Sequence, residues 1–172
     1  MLAPPPLDAC IAAVSYDYPW TDLISHFKFH GQPAWARSLG RLMRSAPWVE
    51  PALEQADLVI PMPLSITRLR ERGFNQALEL AKRLAPTGKI ESRLLLRIKD
   101  TAPQLQLNRN QRLSNLSNAL AVEPLQAARL QAARVVLLDD VMTSGASMHA
   151  AARALRGAGA GHITGIVFAR TD

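Results

Sequence analysis

A chain of 172 residues with 48% hydrophobic content can bury one core of ordinary size, so a single domain over residues 1–172 is expected. The formal net charge of +6 implies an anionic partner, while one cysteine excludes an intramolecular disulfide and a cysteine-based zinc site. No apolar run is long enough to span a bilayer, and Met1–Cys10, with three prolines and no basic segment, makes a poor secretory signal. A cytoplasmic location with no membrane partner is therefore expected.

In chain order, Val14 to Tyr18 reads as a short strand, and Trp20 to Phe29 carries apolar residues at helical spacing, closed by Gly31. A second helix is predicted from about Pro33 to Arg44, with Trp35, Leu39, Leu42 and Met43 as its apolar stripe and Pro47 to Pro51 as its terminator. Asp57 to Ile60 is a buried-type strand running into Pro61-Met62-Pro63, where a tight loop must follow. Ile66 to Arg72 is basic and fits one or two helical turns stopped at Gly73. Phe74 to Leu84 is an amphipathic helix ended by Pro86 and Gly88.

Leu94 to Ile98 reads as a strand, Asp100 to Asn108 as a polar, aperiodic, mobile loop, and Gln111 to Ala119 as a helix. Val135 to Leu138 is a β-branched and aliphatic run suited to a buried parallel strand. A helix over 146–157 and a strand from Ile163 to Ala169 complete the chain. The glycine-rich string 157–161 follows a helix and precedes a strand, the reverse of a dinucleotide fingerprint, so it reads as a helix cap and turn. Strands alternating with helices predict an α/β fold with a mainly parallel sheet flanked by helices.

The charge is concentrated. Between Leu64 and Arg112 eleven Lys and Arg stand against four acids, a local excess of +7. A polyanion is implied, either a diphosphate or a nucleic acid. His26, His30, His149 and His162 show no metal-like grouping, and Cys10 reads as a small apolar filler.

The segment most laden with chemistry is Leu137-Leu-Asp139-Asp140-Val-Met-Thr143-Ser144-Gly145-Ala146-Ser147. Two carboxylates fall where the strand ends, and hydroxyls with an unhindered backbone precede a helix. Carboxylates accept hydrogen bonds from vicinal hydroxyls and repel phosphate. N–H groups at a helix start attract phosphate. A ribose beside a phosphate, as in a 5-phosphoribosyl group, meets both demands. The competing structural reading is a solvated Asp-Asp followed by a Thr- or Ser-capped helix.

This string resembles the phosphoribosyl-pyrophosphate (PRPP) signature of type I phosphoribosyltransferases. Three further segments resemble the ComF family of competence-associated, phosphoribosyltransferase-like proteins: Tyr18 through Lys28 to Gly31, Ile60–Leu64 continuing through Arg72-Gly-Phe-Asn-Gln76, and Thr101–Gln104 with Arg112 and Asn115. The resemblance implies a type I phosphoribosyltransferase-like fold with a flexible hood over about 94–118 and a PRPP loop over 139–147. It implies that Asp139 and Asp140 hold the ribose, Thr143, Ser144, Gly145, Ala146 and Ser147 the 5-phosphate, and Pro61, Met62, Pro63 and Leu64 the diphosphate. Lys28, Arg72, Arg97 and Lys99 would neutralise the diphosphate, although each also reads as a solvated surface charge. Asn75 and Gln76 read equally as a helix cap and as ligand contacts. Mg²⁺ would be bound mainly through PRPP.

Many ComF-type proteins carry a cysteine-rich zinc ribbon ahead of this domain. Here none is present, so a naturally short or a truncated member is expected. The leading expectation is Mg-PRPP binding with transfer of phosphoribosyl to a nucleobase or other nitrogen acceptor, and a homodimer is a further expectation. The alternatives are a PRPP sensor without turnover, or a non-catalytic DNA-uptake factor binding single-stranded DNA or a competence-machinery protein through the basic middle of the chain. Only Phe74 lies among those basic residues to stack on bases.

Overall fold

The apolar run Val135–Leu138 sits at the centre of a four-stranded sheet in the computed structural model, which describes residues 5–29, 34–98 and 119–171. It is the buried part of β5 (Arg134–Met142), flanked by β6 (His162–Arg170) and β2 (Leu58–Pro61). β1 (Ala9–Ser15) lies outside β6, giving the order β1-β6-β5-β2 with all neighbours parallel. Burial of both faces explains why β2, β5 and β6 read as continuous apolar runs rather than alternating ones.

Helices flank this sheet. α1 (Trp20–Phe29) sets Trp20 edge-on against Phe168 of β6, with ring centroids 5.8 Å apart. α2 (Trp35–Ser45) buries Ala36, Leu39 and Met43 and packs beside α5 (Gln76–Leu84), which lies against β2 and β5. α6 (Ala146–Gly157) covers β5 and β6. Two shorter helices, α3 (Val49–Gln55) and α4 (Ile66–Arg72), precede and follow β2. No helix among the described residues is long and apolar enough to cross a membrane.

Most expected elements lie where the sequence places them, including the turn at 157–161, where Gly159 takes φ 107°. Three do not. The first strand spans Ala9–Ser15 rather than Val14–Tyr18, because its register is set by parallel pairing from Ala9↔Thr164 to Ser15↔Arg170 and not by its weak, alanine-rich propensity. Pro47 to Pro51 does more than end α2. Pro51 lies in the first turn of α3, where a missing N–H costs nothing. The third departure is the acid pair, which lies inside β5 rather than beyond it.

β3 (Leu95–Arg97) and β4 (Leu120–Val122) form an antiparallel ribbon with Arg97 opposite Leu120. They are the two feet of the segment expected to be a hood. The loop from Asp100 to Asn108, Lys99, Thr101–Gln104, Arg112, Asn115 and the expected helix up to 118 lie outside the described residues. Ala119 is buried in a bend just before β4.

Candidate functional site at the carboxyl ends of the strands

Parallel strands joined by helices bring their carboxyl ends to one side of the sheet, and a crevice forms where neighbouring strands stop at different heights. β2 stops at Pro61, paired with Leu138, while β5 continues through Met142 beside β6 alone. Asp139 and Asp140 therefore stand past the end of β2. Their unshared backbone is satisfied locally: Asp139 Oδ1 accepts from the Asp140 N–H at 2.9 Å, and Asp140 Oδ1 from the Val141 N–H at 2.7 Å. The acid pair belongs to the strand for this reason, and still faces a cleft.

That cleft has a volume of about 240 Å³. Its floor is Asp139 and Asp140, one wall is Thr143 to Met148, and the facing wall is Met62 to Leu64 with Arg68 and Arg72. Lys28, Arg97 and Tyr16 also line it. Of the residues singled out from sequence, these include both acids, all five loop residues, Met62, Pro63, Leu64, Lys28, Arg72 and Arg97. Pro61 is the buried last residue of β2 and does not line the cleft, and Lys99 lies outside the described residues. Arg68 and Tyr16 were not foreseen. Arg68 stands four residues before Arg72 on α4, so helical spacing alone puts both on one face, and Tyr16 follows the carboxyl end of β1.

The wall from Thr143 to Met148 is built from a tight turn into a helix. Gly145 takes φ 71° at the N-cap of α6, Thr143 and Ser144 are exposed, and the Ala146 N–H reaches Ser144 Oγ at 3.4 Å. No side chain caps the helix from Gly145, so the structural reading in which a Thr or Ser serves as N-cap does not hold there. The start of α6 lines the cleft, where a helix N-terminus and its dipole favour an anion.

The facing wall is braced from behind. Ser65 caps α4 by accepting from the Arg68 N–H at 3.2 Å, and Gly73 stops it at φ 79°. Asn75 caps α5 through the Leu78 N–H at 3.2 Å and donates from Nδ2 to the Met62 carbonyl at 3.0 Å, which ties the helix to the proline loop. Phe74 packs on Phe27 with centroids 5.6 Å apart, fixing α1 next to Lys28. Gln76 is buried and accepts from Arg72 Nη1 at 3.0 Å.

Electrostatically the floor is strained and the rim is cationic. Lys28 Nζ lies 3.3 Å from Asp140 Oδ2, an ion pair without hydrogen-bond geometry. Asp139 keeps some surface in the cleft, yet desolvation first and the Asp140 charge second push its carboxyl up to about 8. Burial lowers the Arg72 guanidinium, against the pull of Asp140. Among the described residues no three His, Cys, Asp or Glu side chains converge, so a metal here would need oxygens from a ligand beside Asp139 and Asp140.

A mainly parallel α/β sheet flanked by helices, with an acid pair and a hydroxyl-glycine turn at its strand ends, has the phosphoribosyltransferase-like fold. No protein-family model matches the chain. It is 32% identical over 159 residues to competence protein F of Haemophilus influenzae, covering 88% of this chain and 68% of that protein. DNA utilization protein YhgH of Salmonella typhimurium is 30% identical over 151 residues, covering 84% of the chain and 64% of the relative. The Escherichia coli K12 YhgH is 30% identical over 156 residues, with the same shares. The chain thus spans about two thirds of the length of these relatives and belongs to the competence protein F, or ComF, family.

Proposed function

We propose that the cleft binds Mg-PRPP. The observation that carries this reading is the acid pair and the anion-attracting start of α6 lining one cleft. Asp139 and Asp140 accept the ribose hydroxyls, and Thr143 to Ser147 hold the 5-phosphate through hydroxyls and backbone N–H groups. The loop from Met62 to Leu64, with Arg68, Arg72, Arg97 and Lys28 nearby, faces the diphosphate. Lys99 adds a further cation in this reading. Magnesium would be held mainly by oxygens of PRPP and would supply positive charge to the diphosphate.

In transfer, a nitrogen nucleophile attacks the anomeric carbon and diphosphate leaves. The chain's residues would orient the ribose and favour positive charge at that carbon while the cations steady the departing group. Calorimetric titration with Mg-PRPP tests binding. Wild type is expected to bind and Asp139→Asn/Asp140→Asn to lose binding; a wild type that does not bind sinks the reading. Diphosphate release over a panel of nucleobases then separates an enzyme from a PRPP sensor.

A second reading concerns DNA, which the name of the YhgH relatives mentions. α4 has no buried residue and displays Arg68 and Arg70 beside the exposed Ile66 and Leu69. This helix would contact single-stranded DNA or a competence-machinery protein during DNA uptake. Binding of single-stranded DNA that weakens steeply with salt and ignores PRPP supports that role, and binding insensitive to salt argues against it.

A further inference from the structure

We propose that Gln76 is a positioning residue that touches no ligand and acts through Arg72, holding its guanidinium toward the diphosphate side of the cleft. The inference rests on the phosphoribosyl reading and deepens it.

Gln76 is 1% exposed at the first position of α5, among the buried apolar residues Ala77, Leu80 and Ala81. Its Oε1 accepts from Arg72 Nη1 at 3.0 Å, while its Nε2 is buried with no hydrogen-bond partner among the described residues. A buried amide is costly to desolvate, and an apolar side chain of similar size would not carry that cost. The value of the amide therefore lies in its acceptor. An arginine only donates, so the oxygen must face Arg72.

The contact is not an ordinary pairing along one helix. Arg72 ends α4, and Gly73 at φ 79° breaks the chain before α5 begins. The turn leaves the start of α5 within hydrogen-bond reach of the end of α4. Asn75 then fixes that start by capping α5 and by donating to the Met62 carbonyl of the proline loop. Arg72 lines the cleft and feels the charges of Asp140 and Asp139, whereas Gln76 does not line it. A long guanidinium side chain has many rotamers, and an acceptor from behind removes that freedom before an anion arrives.

The test compares wild type, Gln76→Met, Arg72→Ala and the double variant, with Gln76→Leu as a second apolar replacement. Magnesium with inorganic diphosphate, and Mg-PRPP, are titrated calorimetrically, and melting temperatures are recorded. Gln76→Met should melt no lower than wild type and bind both probes roughly tenfold more weakly. Adding it to Arg72→Ala should weaken binding no further, because Gln76 acts only through that side chain. Unchanged affinity in a folded Gln76 variant overturns the proposal and leaves the PRPP reading standing. Failure of both apolar variants to fold, or an additive loss in the double variant, also overturns it. A wild type that binds neither probe overturns both.

Discussion

Lys28 Nζ and Asp140 Oδ2, 3.3 Å apart, join the last turn of α1 to the acid pair of β5 across the cleft. Only 18% and 11% of the two side chains are exposed, and Asp140 Oδ2 receives no hydrogen bond from the described residues. Removing the ammonium leaves a desolvated Asp140 carboxylate beside the Asp139 carboxyl. Arg72 also faces Asp140, and the cleft admits water, so the loss is smaller than for a fully buried pair. Lys28→Met should cost about 2 kcal/mol in urea unfolding, and Lys28→Met/Asp140→Asn should recover most of it.

The raised carboxyl of Asp139 makes a pH prediction whose sign is opposite to the usual one for acids. Folding holds a proton on Asp139 up to about 8, while the unfolded chain releases it near 3.8. Between those values the folded state binds more protons, so this group's contribution is fully present below the lower value. It is lost as pH rises toward and through the upper one. Asp139→Asn removes that slope. Its melting temperature should exceed that of wild type at pH 8 by about 2–4 °C, on the order of 1 kcal/mol for a domain of this length, and converge with it near pH 4. Scanning calorimetry from pH 4 to 8 checks both ends.

The grouping of the acids and the loop residues in one cleft was legible because it is local. Hydrophobic strand, acids, hydroxyls and glycine follow one another between Val135 and Ser147, and each type constrains its neighbours. Lys28 and Arg72 reach the same cleft, but only the fold brings α1 and α4 there; their inclusion came from a family resemblance rather than from spacing. Arg68 could have been found by counting one helical turn back from Arg72. β1 was misplaced because an alanine-rich edge strand is defined by the neighbour it pairs with, and Pro51 misled because proline reads as a stop until the first turn of a helix is known. The split roles of Asn75 and Gln76 depend on the turn at Gly73, which no periodicity reveals.

Gly145 is the position in the cleft least tolerant of a side chain. Its φ of 71° is left-handed, and an added Cβ would lie 3.3 Å from His149 Cε1. Gly145→Ala should cost about 1–2 kcal/mol, and relief by rotating the turn would shift the start of α6 in the cleft. The measured outcome should be a lower melting temperature together with weaker Mg-PRPP binding. Retained binding would separate the turn's conformation from anion capture.

Asp8 offers the contrasting case, a charged group that acts on the fold and leaves the cleft alone. It lies at the amino end of β1, opposite the strand ends that build the site, and its Oδ2 accepts from the Ile163 N–H at 2.7 Å and from Arg156 Nη2 at 2.6 Å. Burial acts to raise its carboxyl, but those hydrogen bonds and the charges of Arg156 and His162 win and hold it below the usual range. The stabilisation is therefore present above the unfolded value near 3.8 and is lost as pH falls through the lower folded one. About a third of the Asp8 side chain is exposed, so water screens the pair and Asp8→Ala should cost about 1–2 kcal/mol at pH 7. Urea unfolding at pH 7 and pH 3 should show the gap between variant and wild type shrinking at the acid end. Mg-PRPP affinity should be unchanged at pH 7; a weakened affinity would mean that the β1–β6 fastening reaches through the sheet to the cleft.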